Sequence, residues 1–322
     1  DNNRLANTMD SAYYNQLNTG LANTFYNRAT QEKTAPGSTF KMVSAVAGLT
    51  EGVIDSGTTF FCDGEFTEVT PSPRCWIYPR GHGSLTVVGG IQNSCNEFFY
   101  NVAYKLGMDG NGNYNSETGV EKLAKYAAMF GLSEKSGVEI PESSPEMSNE
   151  YAVQSAIGQG TNNYTVSQLN RYVSAVANSG TVYDLTLIDK TTDSNGNLIK
   201  DYEAEVVSTI EDVSSSTWDL VHEGMRRMVQ NSSTFSGIDF TMAGKTGTAQ
   251  QSSEHADHAL FVGYAPTDCP EIAVAVRMAY GYSSSYAAEI GRDIVQIYFD
   301  PDSANELITG TAGELGDTLA GD

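Results

Sequence analysis

Basic residues are scarce in this 322-residue chain: 18 Lys and Arg stand against 40 Asp and Glu, for a formal net charge of −22. A surface of that sign repels phosphate, which disfavours nucleic acid and acidic lipid headgroups as partners. No run of about 18 apolar residues occurs, so no segment reads as a membrane span. Cysteine is rare as well. The four present, Cys62, Cys75, Cys95 and Cys269, are too few for a disulfide-dense scaffold. No internal repeat is found. The first residue is Asp1 rather than Met, with no signal-peptide pattern behind it. The expectation is a fragment or processed form whose anchor lies outside these residues. Against these absences, 40% of residues are hydrophobic, and 12 Phe, 18 Tyr and 2 Trp are spread along the chain. That content argues against general disorder, and the length suffices for one large domain or two. Abundant Asn, Ser, Thr, Tyr and Gly suit an extracytoplasmic surface.

Ala35-Pro36-Gly37 is a turn signal. The stretch from Phe40 to Leu49 is apolar apart from Lys41 and Ser44, which predicts a helix buried on nearly all sides, with Gly52 past its end. Residues 55–84, rich in Gly, Pro, Thr and Cys, read as loop. Phe98, Phe99, Val102 and Leu106 predict a helix over 93–107. Thr118 with Glu121, and Thr165 with Gln168, have capping-box spacing ahead of helices that stop near Gly131 and Gly180. Trp218, Val221, Met225 and Met228 predict a helix over 215–230. The pattern then turns strand-like over 241–250, 259–264 and 271–278, with a hairpin at Ala265-Pro266-Thr267-Asp268, and returns to helix over Tyr286–Phe299. From Asp300 to Asp322 all charges are acidic, so 300–322 reads as a disordered tail behind one domain over 1–299. Helices grouped in the middle and an antiparallel sheet assembled late indicate an α+β fold.

Three short segments carry chemistry: Ser38-Thr39-Phe40-Lys41, Ser94-Cys95-Asn96 and Lys245-Thr246-Gly247. Ser38 follows a Pro-Gly turn at the start of a buried helix, where unpaired N–H groups and the dipole favour developing negative charge. Lys41 lies one turn on, on the same face. Burial lowers the pKa of such a lysine, so that it can take the Ser38 proton and activate the hydroxyl as a nucleophile. Ser94 can relay protons between Lys41 and a leaving amine, and the Asn96 side chain offers a donor and an acceptor to a substrate amide. Taken alone, Ser94 and Asn96 read equally well as an N-cap pair. Lys245 and Thr246 suit a substrate carboxylate. Gly247 lets an extended peptide approach the strand. The N–H groups of Ser38 and Thr248 can converge as an oxyanion hole.

A closely similar triple, with Asp where Cys95 stands here, marks penicillin-binding proteins and class A β-lactamases. The chain resembles the transpeptidase domain of class B penicillin-binding proteins. The likeness extends over Tyr26-Asn27-Arg28-Ala29, Ile157-Gly158-Gln159-Gly160, Ala243 to Gln250 and Phe261-Val262-Gly263-Tyr264-Ala265-Pro266, and so over about residues 10 to 299. Trp76 with Gly81-His82-Gly83 resembles the elongation-type subgroup, the penicillin-binding protein 2 type. The resemblance implies the penicillin-binding transpeptidase and β-lactamase-like fold, an antiparallel sheet flanked by helices plus an all-helical subdomain. It implies a serine D,D-transpeptidase that cross-links peptidoglycan stem peptides ending in D-Ala-D-Ala and is acylated by β-lactams on Ser38. It further implies a membrane-anchored protein on the extracytoplasmic face of the bacterial cell membrane, with a membrane glycan polymerase as partner and no cofactor needed for catalysis. The alternative is a β-lactamase or β-lactam sensor. A class A β-lactamase needs a water-positioning glutamate, and the nearest lookalike, Ser144-Pro145-Glu146-Met147-Ser148-Asn149, reads as a polar loop. A non-enzymatic module binding cell-wall peptide is opposed by the intact Ser38, Lys41 and Lys245.

Cys62, Cys75, His82 and Cys95 fall between the first two motifs, and three thiols with one imidazole suffice for a tetrahedral zinc site. A metal there would tie the 55–84 loop to the helix bearing Cys95. A Cys62–Cys75 disulfide, free thiols, and His82 as a plain turn residue are the competing readings. Cys269 has no assigned role, and His255 and His258 read as surface loop histidines.

Overall fold

A computed structural model describes residues 2–8, 10–20, 23–250 and 255–308. Three strands, Ala243–Ala249, His258–Ala265 and Ile272–Met278, form an antiparallel sheet in chain order, with Lys245 opposite Val262 and Val262 opposite Ala275. Alternation along the strands sends residues to two cores. Ala243, Ala249, Leu260, Val262 and Tyr264 join the large helical core, whereas Ala259, Phe261 and Val274 face the last helix, Ser284–Phe299. That helix can sit close because Gly291 faces the Phe261 ring; a Cβ there would stand 2.4 Å from Phe261 Cδ1.

The expected buried helix runs over Lys41–Thr50, with residues 41 through 48 all buried. It packs beside the helices Asn96–Leu106 and Ser116–Met129. The helices Val166–Ala177 and Ser215–Gln230 match the expected ones. The Thr165–Gln168 capping box is formed in both directions. The Thr118–Glu121 box is not. Asn115, three residues earlier, caps that helix by accepting from the Glu117 and Thr118 N–H groups, so Thr118 already lies inside the first turn. The helix expected over 93–107 is also shorter. A separate helix, Val87–Gln92, ends in a turn where Ser94 adopts φ +52, and the Cys95 thiol caps Asn96–Leu106 by accepting from Phe98 N–H. The N-cap is therefore Cys95, and the cap-pair reading of Ser94 and Asn96 is set aside.

The 55–84 loop closes on itself, because Phe60–Cys62 pairs antiparallel with Gly83–Leu85. Two strand pairings were not foreseen: the partly buried Thr181–Tyr183 with Val206–Thr209, and the exposed hairpin Lys190–Thr192 with Leu198–Asp201. The segment expected to be disordered starts with a short turn, Pro301–Ser303, and a helix, Ala304–Leu307; residues 309–322 lie outside the described ones. Among the described residues no helix is long and apolar enough to cross a membrane.

Candidate active site

Ser38 sits in a 3-10 turn, Gly37–Phe40, that leads into the helix starting at Lys41. The α-helix thus begins three residues later than Ser38. The turn is braced on all sides. Thr39 Oγ1 donates to Pro36 O at 2.7 Å, Tyr172 OH donates to Thr39 O at 3.0 Å, and Gly37 N donates to Gly158 O at 3.0 Å. Gly37 and Gly158 both have positive φ, and neither has room for a side chain. A Cβ on Gly37 would stand 2.2 Å from Thr248 O, and one on Gly158 would stand 2.1 Å from Gly37 O. The nucleophile turn is therefore wedged between the 155–160 turn and the Lys245 strand, with Ser38 and Thr248 facing one cleft.

Lys41 is fully buried. Its Nζ donates to Asn96 Oδ1 at 2.7 Å, to Ser94 O at 2.8 Å and to Ser94 Oγ at 3.2 Å. Burial lowers its pKa to about 7, against an opposing pull from the sulfurs of Cys95 and Cys75. The left-handed turn at Ser94 is what brings both its carbonyl and its hydroxyl to this one amine. Lys245, expected from sequence on a substrate-facing strand, is fully buried too, with Nζ donating to Thr246 O at 2.8 Å. Burial, and secondarily the charge of Lys41, hold its pKa well below the usual lysine range.

The cleft measures about 370 Å³ and is lined by Ser38, Ser94, Asn96, Thr246, Gly247 and Thr248, together with Trp76, Ile157, Gln159 and Ser284. Residues of all three motifs border this one space, whereas Lys41 and Lys245 are not among its lining residues. The last four of those lining residues were not assigned to the site. Trp76 and the Ile157–Gly160 stretch had shown only as matching segments, and Ser284 gave no signal. Glu146 lies elsewhere, paired with Lys33 and accepting from Asn163 Nδ2 at 3.0 Å. No carboxylate lines the cleft among the described residues. The loop reading of His258 is corrected: it opens the second strand, buried, and its Nδ1 accepts from Tyr280 N–H at 3.1 Å.

Cys62, Cys75, His82 and Cys95 come together with their ligand atoms all within 4.8 Å of one another. His82 Nδ1 lies 3.5 Å from Cys62 Sγ and 3.6 Å from Cys75 Sγ, and Cys75 Sγ lies 4.0 Å from Cys95 Sγ. Zinc bonds of about 2.3 Å to sulfur and about 2.0–2.1 Å to nitrogen give tetrahedral edges close to those separations. All four cysteines are free thiols, which removes the Cys62–Cys75 disulfide. The hydrogen bond between Cys75 and Cys95 holds the Cys75 pKa well below the usual thiol range, while burial pushes Cys62 up to about 11. Buried Glu97 accepts from Gly64 N–H at 2.9 Å, a second tie between this loop and the Asn96–Leu106 helix.

Comparison with known proteins gives the class that the fold and cleft define. The family model for the penicillin-binding protein transpeptidase domain matches residues 2–296, and the chain belongs to that family. It is 28% identical to the peptidoglycan D,D-transpeptidase MrdA of Haemophilus influenzae over 338 aligned residues, covering 93% of this chain and 50% of that protein. Among solved structures it is similar to Pseudomonas aeruginosa PBP2 in complex with WCK 5153, at TM-score 0.76 and 28% identity, over 90% of this chain and 66% of that one. It is also similar to a chain from a peptidoglycan synthase complex that coordinates polymerization and crosslinking, at TM-score 0.74 and 26% identity, over 94% and 51%. The chain spans about half the length of the curated relatives it matches.

Proposed function

We propose that this domain is a serine D,D-transpeptidase acting on peptidoglycan stem peptides that end in D-Ala-D-Ala. Ser38 Oγ attacks the penultimate D-Ala carbonyl, and neutral Lys41 takes the hydroxyl proton. The N–H groups of Ser38 and Thr248 hold the oxyanion. As the C–N bond breaks, the proton passes from Lys41 through Ser94 to the departing D-Ala amine, leaving an ester on Ser38. An acceptor amine from a second stem then attacks the ester, its proton returns to the serine, and the cross-link is released. Lys245 and Thr246 receive the donor carboxylate, Gly247 admits its backbone beside the strand, and Asn96 orients Lys41. A β-lactam acylates the same serine.

The observation that carries this reading is the buried Lys41 amine held by Ser94 and Asn96 beside the Ser38 turn. Among the described residues no carboxylate stands at the cleft to position hydrolytic water, as the β-lactamase reading needs. A long-lived penicillin adduct on Ser38 is expected by intact-mass spectrometry, with none on Ser38→Ala. Labelling that survives in Ser38→Ala, or rapid hydrolytic turnover of the penicillin, would refute the proposal.

We also infer that Cys62, Cys75, His82 and Cys95 bind a structural zinc ion, supported by four donors at near-tetrahedral separations. The ion would cross-link the 60–85 loop to the helix capped by Cys95 and supply no step of the reaction. Elemental analysis of protein purified without a histidine tag is expected to find one zinc per chain, and absence of stoichiometric metal rejects the site. Action on stem peptides implies a location on the extracytoplasmic side of the membrane. A glycan polymerase is the expected partner, supported by the likeness to the synthase-complex chain.

A further inference from the structure

Trp76 is 63% exposed, yet it is held in place. Its Nε1–H donates to Asn93 O at 3.2 Å, next to Ser94, and its ring meets the His82 ring with centroids 5.4 Å apart. It follows buried Cys75 directly, and the indole lines the cleft. The other tryptophan, Trp218, lies in the core at 5% exposure. The open face of Trp76 contributes nothing to the core, while its orientation is already fixed. An anchored aromatic face of this kind is preorganised to pack against a ligand.

The rest of the lining decides what that ligand carries. Ser38, Asn96, Gln159, Thr246 and Ser284 are neutral polar groups, and no carboxylate lines the cleft among the described residues. A protonated amine that enters finds no anion among the described lining residues, and the indole face offers it an extended surface of negative potential. The net charge of −22 draws cations toward the protein in general. A carboxylate side chain beside Trp76 would meet the negative ring face, and no cation lines the cleft there among the described residues.

Resting on the transpeptidase reading above, we propose that Trp76 determines specificity for the donor peptide by receiving an alkylammonium side chain, with the alkyl stem on the indole and the amine over its face. The test uses X-D-Ala-D-Ala peptides with X as lysine, norleucine or glutamate. They are titrated onto the Ser38→Ala protein, which binds without turnover, and followed by tryptophan emission and calorimetry. Lysine is expected to bind three- to tenfold tighter than norleucine, with glutamate weakest. Adding Trp76→Leu is expected to erase the lysine preference, whereas Trp76→Phe, which keeps a π face, retains part of it. Equal binding of the lysine and norleucine peptides, no measurable binding of either, or a lysine preference that survives Trp76→Leu would overturn the proposal. Penicillin labelling of Ser38 in the otherwise unaltered protein reports on the transpeptidase reading separately.

Discussion

A lysine in water is a poor base at neutral pH; Lys41 becomes a usable one because desolvation brings its pKa to about 7. The sign of the resulting pH dependence follows. The neutral fraction of Lys41 grows as pH rises, so the second-order rate of penicillin acylation is expected to climb about tenfold per unit below pH 7 and level off above it. Stopped-flow labelling from pH 5.5 to 8.5 checks this, and a flat profile would remove Lys41 as the base. Lys41→Arg keeps the charge but has no accessible neutral form, and should lose about 10²–10⁴-fold in that rate. At this scale the sequence was informative where chemistry demands fixed spacing. Ser38 and Lys41 are one turn apart, and the Ser94 and Lys245 segments are short and distinctive. Trp76, Gln159 and Ser284 are single neutral side chains from three separate segments. Only the folded chain shows that they border the same space.

Elements were legible to the extent that burial imposes a period. The helix starting at Lys41 and the three sheet strands were expected within a few residues, because each packs into one or both cores. The pairings at 181–209 were missed because most of their residues are exposed and polar, so no alternation marks them. The misplaced cap at Thr118 arose because Asn115 and Thr118 both carry good cap side chains, and the Asn115 carboxamide reaches two N–H groups at once. The close nesting of the Ser38 turn against its neighbours makes a sharp test. Gly158→Ala combines a left-handed backbone with a contact that cannot form, and is expected to cost about 2 kcal/mol or more of stability and to slow acylation by displacing Gly37. Denaturant unfolding and labelling rates measure the two effects, and wild-type values in both would show that this packing does not set the site.

At the scale of the whole molecule, the loop over 60–85 packs Phe60, Phe66, Ile77 and Leu85 against the helices and is tied to them further by the Cys and His cluster and by Glu97. Stripping metal with a strong chelator is expected to lower the melting temperature by more than about 5 °C and to weaken penicillin labelling, with zinc restoring both. An unchanged melt would mean that the thiols alone suffice. The acidic excess takes no part in the proposed mechanism, which uses two lysines and two serines. It bears instead on the strand that carries Lys245 to Thr248, which is an outer strand of its sheet. The nucleophile turn covers part of that strand, and only Thr246 and Thr248 on it are not buried, so pairing with the same strand of another copy is confined to the short stretch the cleft leaves open. Mutual repulsion between chains of charge −22 opposes such pairing at low ionic strength and weakens as salt screens it. Colloidal stability and substrate access thus pull on one row of backbone groups. Static light scattering should show association rising with salt for the free protein and less so once a penicillin occupies the cleft.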